Sequence, residues 1–297
     1  MLAIIIPFYK LTFFEATLQS LANQTDKRFK VYIGDDASSE DCTFLLQKFE
    51  EHFDFIYHRF EINLGGTSLT QQWERCIALS KNEEWLMILG DDDVLGENVV
   101  EEFYKQYHYF QNSSNVVRFA TQSIDNINNK VSKVFLHPVW EPAATSFYRK
   151  FKGLSRSSLS EYIFTRNSFT KFHFKNYPLA WHSDDLAWID FSNKKPIYSI
   201  NEAIISINVS DLSLSGMNTN LNLKNEASLQ FYEDIIRNKL SQFSKKQSLD
   251  LLMRYEIEIK EIRKVKISEW LLLLKGYIKN FQLISFLKLT RRILISL

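Results

Sequence analysis

Strand and helix patterns alternate without a break through the first 111 residues of this chain, and few folds accept that order. Ala3 to Pro7 reads as a strand, Thr12 to Gln24 as an amphipathic helix, Lys30 to Gly34 as a strand and Glu40 to Glu51 as a helix. Phe53 to Arg59 then reads as a strand, Ser68 to Ser80 as a helix, Trp85 to Leu89 as a strand and Gly96 to Gln111 as a helix. Strands joined by helices rather than tight turns run parallel, so the expected class is α/β, a mostly parallel sheet with helices on both faces. Ligands of such sheets collect at the carboxyl ends of the strands. "GDDASSED" (34–41) follows the second strand and "GDDDVLG" (90–96) follows the fourth, which puts both acidic clusters on one rim. Ser38 with Asp41 also fits a capping box opening the second helix.

The buried-strand run Trp85 to Leu89 is followed by Asp91, Asp92 and Asp93. Three like charges at a strand end repel unless a cation, a set of donors or open water compensates. The triplet therefore points to a cation site. The rest of the composition is that of an ordinary folded protein: 45% hydrophobic and 24% charged residues over 297 positions can bury a sizeable core. A formal net charge of +1 gives no reason to expect nucleic acid as a partner. Cys42 and Cys76 show neither metal-ligand spacing nor a disulfide framework, and two free thiols suit a reducing cytoplasm. The opening "MLAIIIPFYK" lacks a basic n-region and a cleavage site, so a strand is expected there and no export. No run reaches the length needed to span a bilayer.

From about Asn112 the pattern loosens, and residues 112–215 read as the second half of a domain that begins at residue 1. Within it, "GLSRSSLSEYIFTRNSF" (153–169) offers Arg156 and a cluster of hydroxyls ahead of a strand at Glu161 to Thr165. "WHSDDLAWID" (181–190) adds Asp184 and Asp185, where a carboxylate can also cap a helix or favour its first turn. The Asn- and Ser-rich stretch 206–225 is expected to be a mobile connection, and residues 221–297 read as a helical extension. From Arg254 onward ten Lys and Arg face four Asp and Glu. Residues 270–297 combine that basic charge with many large apolar side chains, which suits either a helix packed on the protein's own core or a membrane surface.

Pro7 closing an Ile-rich strand, Asp35-Asp36 after the second strand, "NLGG" (63–66), Asp91 to Asp93 and Asp184-Asp185 form an ordered set over roughly residues 2–215. This order resembles the family 2 glycosyltransferases of GT-A fold, whose Rossmann-like half (here 1–111) holds a nucleotide-sugar and whose second half (112–215) faces the acceptor. The resemblance implies inverting transfer of a hexosyl or N-acetylhexosaminyl group from a nucleotide-diphosphate donor, UDP-sugar foremost, to a glycan or lipid-linked saccharide. It implies Mg2+ or Mn2+ on Asp92, with Asp91 on the donor ribose or the metal shell and Asp93 behind them or capping the helix near Gly96; a shifted match makes Asp91-Asp92-Asp93 the metal motif itself. Gly90 stands where the family's first Asp is common. Asp36 is expected to accept from the base ring N–H, with Asp35 as its neighbour and Pro7, Phe8 and Tyr9 beside the base. Asn63, Gly65 and Gly66 match a donor loop in which the glycines allow positive φ and close approach. The basic residue common after that loop is missing, and Arg75 is a candidate replacement. Asp185 is the expected general base, with Asp184 as runner-up. His182 is read as structural, and Trp181 and Trp188 as sugar-stacking or core residues. A surface-polysaccharide enzyme in the cytoplasm, peripheral on the inner face of the membrane, fits this picture. Other classes that would use strand-end acids are a metal-dependent phosphohydrolase or nucleotidyltransferase and a non-catalytic nucleotide-sugar-binding module.

Overall fold

The computed structural model describes residues 1–210 and 220–296. In chain order the first half is β1 (Leu2–Phe8), α1 (Phe14–Ala22), β2 (Phe29–Asp35), α2 (Thr43–Gln47), β3 (Phe55–Arg59), α3 (Leu69–Ile77), β4 (Trp85–Ile88), β5 (Val94–Leu95) and α4 (Val99–Phe110). Then come β6 (Val116–Asp125), β7 (Lys130–Val131), β8 (Trp140–Pro142), α5 (Ala143–Phe151), β9 (Tyr162–Thr165), α6 (Arg166–Phe172), α7 (Ser183–Ser192) and β10 (Pro196–Val209). The helices α8 (Leu221–Asp234), α9 (Lys245–Ile262), α10 (Ile267–Lys279) and α11 (Leu283–Ser296) follow.

The strands form a sheet in the order β3-β2-β1-β4-β9-β6-β10-β5, with β7 on β6 and β8 on β10. β3, β2, β1 and β4 are mutually parallel, as the alternating pattern requires. β9 then enters antiparallel to both β4 and β6, so the second half is mixed. The sequence LAIIIPF has no polar face because a central parallel strand is covered on both sides. Its period of two sends Leu2, Ile4, Ile6 and Phe8 into the main core with Trp85 and Met87. Pro7 therefore belongs to the opposite face, and the two neighbours reach different environments.

β10 is the longest strand, and its pairing with β6 shifts register between Ile200 and Ile204. Beyond that irregularity it also pairs with β5, immediately after the acidic triplet. Gly96 donates its N–H to the Ile204 carbonyl at 2.9 Å, and a Cβ on Gly96 would lie 2.7 Å from that oxygen. Triplet and β10 are thereby fixed to one another. Two expected caps are absent: α2 starts at Thr43 behind Cys42, so Ser38 and Asp41 do not open it, and α4 starts at Val99 behind Asn98, not at Asp93. Ser38 Oγ instead donates to the Tyr9 carbonyl, and Asp41 holds Thr43 locally.

Residues 1–176 and the chain from Ser183 through β10 make one compact unit; residues 177–182 and the helices from α8 onward make a second. The expected division at residues 215–221 thus leaves out a short segment, 177–182, that packs with the helices: Tyr177 donates to Asp234 at 2.7 Å. Within the first unit Arg118 is almost completely buried and is held by Glu161 at 2.6 Å, by Ser146 Oγ and by the Arg156 carbonyl. A buried charge stripped of its partner is strongly destabilising. Glu161→Ala is therefore expected to cost about 3–5 kcal/mol, read from denaturant unfolding, while leaving the helical unit's secondary structure intact.

Candidate active site

The carboxyl ends of β1, β2 and β4 meet at a rim whose loops are held by carboxylates. Asp91 Oδ2 accepts from the main-chain N–H groups of Tyr9 (2.8 Å) and Lys10 (3.0 Å), and Glu40 accepts from Leu11 N–H at 2.5 Å. Asp93 accepts from Ser160 Oγ at 2.5 Å and from Asn208 N–H at 3.0 Å. Ser160 Oγ also accepts from Gly90 N–H at 2.9 Å, so one hydroxyl from the segment before β9 joins the two ends of the triplet loop. Asn208 in turn donates its side-chain amide to the Asp92 carbonyl.

Between these loops lies a cavity of about 320 Å³ lined by Pro7, Tyr9, Lys10, Thr12, Phe13, Leu69, Trp73, Ile88, Gly90, Asp91, Asp92, Asp93, Leu159, Ser160 and Ser210. That is the size of a small-molecule site. Asp92 differs from its neighbours: among the described residues its carboxylate accepts no hydrogen bond from another residue. Burial, then the charges of Asp93 and Asp91, push its carboxyl up to about 8. Burial also raises Asp91 and Asp93, opposed in each case by the N–H and O–H groups they accept from. Gly90 is small for a reason, since a Cβ there would lie 2.9 Å from Asp92 Oδ1 and 3.0 Å from Asp93 Oδ2. Among the described residues no three His, Cys, Asp or Glu side chains gather around one point. A hard divalent ion that keeps waters and takes ligand phosphate oxygens needs only one or two protein carboxylates, and Asp92 offers one.

Other expected donor residues take different places. Phe8 is fully buried, packed on Phe14 at 4.6 Å, and meets the rim only through its carbonyl, which accepts from Asp36 N–H. Strand alternation decides this, because Pro7 and Phe8 cannot face the same side. Asp35 is fully buried and accepts from Ser38 N–H, Tyr57 Oη and Arg59, so it ties β2 to β3. Asp36 accepts from the N–H groups of Leu64 (2.7 Å) and Gly65 (2.9 Å) and pairs with Arg75. Arg75 is further held by the Ile62 carbonyl and lies 3.9 Å over the Phe60 ring, which commits it to the loop. Asn63 accepts from Gly66 N–H at 2.6 Å and closes the turn. Positive φ is not what the glycines supply, since neither Gly65 nor Gly66 adopts it. Space is: a Cβ would lie 2.6 Å from Asp36 Oδ2 at Gly65 and 2.8 Å from Asn63 Oδ1 at Gly66.

Asp184 and Asp185 stand in the first turn of α7. Asp185 is buried and bridged through both oxygens by Lys150 Nζ of α5 (2.6 and 2.8 Å). It lines a separate, far smaller hollow with Lys150, Ser157, Tyr162 and Trp188. Of the cavities lined by described residues, the one that holds Asp92 does not include Asp185 and the one that holds Asp185 does not include Asp92. Asp184, next to it, is half-buried. Trp188 stacks on Tyr162 at 4.1 Å and belongs to the core, while His182 stacks on Phe231 at 4.5 Å and contacts Ser228. Lys10, Trp73, Ser160 and Asn208 were not singled out by sequence. Of these only Ser160 carried a signal, as part of the hydroxyl cluster before β9.

A parallel half-sheet extended by a mixed half, with an acidic triplet facing a cavity at the strand ends, defines a GT-A fold. The family model for glycosyl transferase family 2 matches residues 3–176, and the chain belongs to that family of sugar-transferring enzymes. Among solved structures, S. aureus TarS 1-349 in complex with UDP-GlcNAc is similar at TM-score 0.65 and 14% identity, covering 94% of this chain and 80% of that one. The same protein in complex with UDP gives 0.63 and 17% identity, covering 96% and 82%. The longer S. aureus TarS gives 0.62 and 15%, covering 96% of this chain and 50% of that one. No curated protein matches significantly.

Between the ordinary carboxylate value of 3.8 and about 8, the folded chain holds a proton on Asp92 that the unfolded chain has released. Stability must fall as pH rises through that window. With divalent ions removed by chelator, Asp92→Asn is expected to melt a few degrees above the natural protein near pH 8, the gap closing toward pH 4, by scanning calorimetry. Gly65→Ala must displace Asp36 from its N–H donors, and a loss of about 1–3 kcal/mol in the same measurement is expected.

Proposed function

We propose that this chain transfers a sugar with inversion from a UDP-sugar to a hydroxyl of a glycan or lipid-linked saccharide. The observation that carries the reading is the Asp92 carboxylate, which among the described residues has no donor from another residue, lining the cavity at the strand ends in a family 2 chain. The UDP and UDP-GlcNAc complexes of TarS support uridine as the base. Asp92 would hold Mg2+ or Mn2+, with Asp91 and Asp93 fixing the loop that presents it. Such an ion, when bound, supplies Lewis-acid neutralisation of charge on the departing diphosphate.

The residues of the chain do the rest. Lys10 carries the positive charge among the cavity's lining residues and draws the acidity of Asp91 and Asp92 back toward normal. It is the group to contact the diphosphate, the role Arg75 cannot take while bound to Asp36. Pro7, Tyr9 and Trp73 offer apolar surface to base or sugar. The acceptor oxygen forms its bond to the anomeric carbon on the face opposite the diphosphate. The bond from that carbon to the phosphate oxygen breaks, and the acceptor proton passes to a carboxylate. We infer that the α7 pair divides the work: Asp185, bridged by Lys150, fixes the first turn, and the less buried Asp184 takes the proton. That exchanges the two roles implied by resemblance.

A panel of nucleotide-sugars tests the donor. UDP-sugar with Mn2+ should raise the melting temperature, by about 2.7 kcal/mol of stability at a hundredfold excess over Kd, and Asp92→Asn should abolish the metal-dependent part. Asp184→Asn is expected to lower transfer about 10²- to 10⁴-fold with donor binding intact, whereas Asp185→Asn should mainly lower the melting temperature. Loss of transfer in Asp185→Asn at unchanged stability would return the base to Asp185. Phosphate release without an acceptor would favour a hydrolase instead.

A further inference from the structure

The helical unit carries a second cavity, of about 190 Å³, distant in sequence from the donor site. It lies beside a stretch of π-helix, Ile235–Lys239, that widens the end of α8, and it is lined by Arg237, Asn238, Ser241, Lys275, Gly276 and Lys279 among others. Arg237 is paired with Glu233 at 2.7 Å, but among the described residues Lys275 and Lys279 have no acidic partner. No carboxylate lines the cavity. Two unpaired ammonium groups, a guanidinium and two neutral donors suit a phosphate group.

Exposed apolar side chains flank the cavity's lysines on α10 and recur on α11. On α10, Leu271 and Ile278 are 61% and 56% exposed, one turn to either side of Lys275. On α11, Ile284, Leu287 and Leu294 are 70%, 57% and 76% exposed, on the same helical face as Lys288 and Arg291. From Lys264 onward the sequence holds seven Lys and Arg against Glu269 alone, and Glu269 is already bonded to Arg263. No helix among the described residues is long and apolar enough to cross a membrane. Exposed apolar stripes bearing unpaired cations describe a helix face that lies in a bilayer interface rather than through it.

We propose that α10 and α11 dock on a bilayer containing anionic phospholipid, with a lipid phosphate entering the cavity at Arg237, Lys275 and Lys279. The charge excess selects the anionic surface, and the exposed Leu and Ile side chains enter its acyl boundary. This holds whatever sugar the other unit transfers, so it stands or falls separately from the proposed reaction.

Co-sedimentation of the full chain with vesicles tests it. Phosphatidylcholine vesicles containing phosphatidylglycerol should pellet the protein and pure phosphatidylcholine should not, with binding weakened by salt. Each lysine near an anionic surface is worth about fivefold in partitioning, so Lys275→Ala/Lys279→Ala should bind about 25-fold more weakly. Ile284→Ser/Leu287→Ser should weaken binding at unchanged charge. Both double variants replace exposed or cavity-lining groups, and their melting temperatures should match the natural protein's. Equal binding to the two vesicle types, or unchanged binding by both variants, overturns the proposal. So does light scattering that shows a dimer which Ile284→Ser/Leu287→Ser dissociates, because the face would then be covered by a second copy.

Discussion

Buried carboxylates accepting main-chain N–H groups hold the whole rim together. Asp91 reaches from the β4 loop to the residues after β1, Asp36 from the end of β2 to the loop before α3, and Asp93 from the triplet to β10. Each bond is charge-assisted and bridges segments far apart in sequence, which makes it stronger than a neutral hydrogen bond and fixes one loop against another. The rim is thus assembled by acids whose oxygens are taken up by amides and hydroxyls of neighbouring loops. One acid, Asp92, lines the cavity with no donor from another described residue, and burial beside Asp93 and Asp91 raises its proton affinity.

The same logic organises the second half. α5 contributes Ser146 to Arg118, Arg149 to Glu141 and Lys150 to Asp185, so a single helix of nine residues closes three polar pairs. His137 sits among these cations, and burial together with Arg118 and Arg149 lowers its proton affinity to about 2, which keeps it neutral. Such pairs contribute little net stability but are costly to break, so they specify an arrangement more than they strengthen it. The position of α7, and with it the proposed acceptor side, depends on them.

Most of the parallel half was legible from sequence. The strand–helix alternation gave β1, β2, β3 and β4 and the helices between them within a few residues, because apolar period and local chain stiffness are properties of short windows. Both acidic clusters were placed correctly on one rim for the same reason. What each acid does there was not legible. A carboxylate at a strand end has the same sequence signature whether it faces a ligand or an amide from a distant loop, and Asp35, Asp36 and Asp91 all have amides. The glycines of "NLGG" were recognised as necessary, but the need is for an absent Cβ beside Asp36 and Asn63, a constraint between residues, and not for a left-handed backbone.

The second half was opaque because its order comes from long-range pairing. β10 is fixed by β6, β8 and β5, and β9 inserts between β4 and β6, which both precede it by tens of residues, so no local window contains the partners. Sequence by itself determined the α/β class, the rim and the presence of an acidic triplet, since those follow from residue order alone. Only the tertiary structure decided that Asp92 faces the cavity while Asp185 is locked by Lys150. Which carboxylate finds a donor depends on what the fold brings beside it.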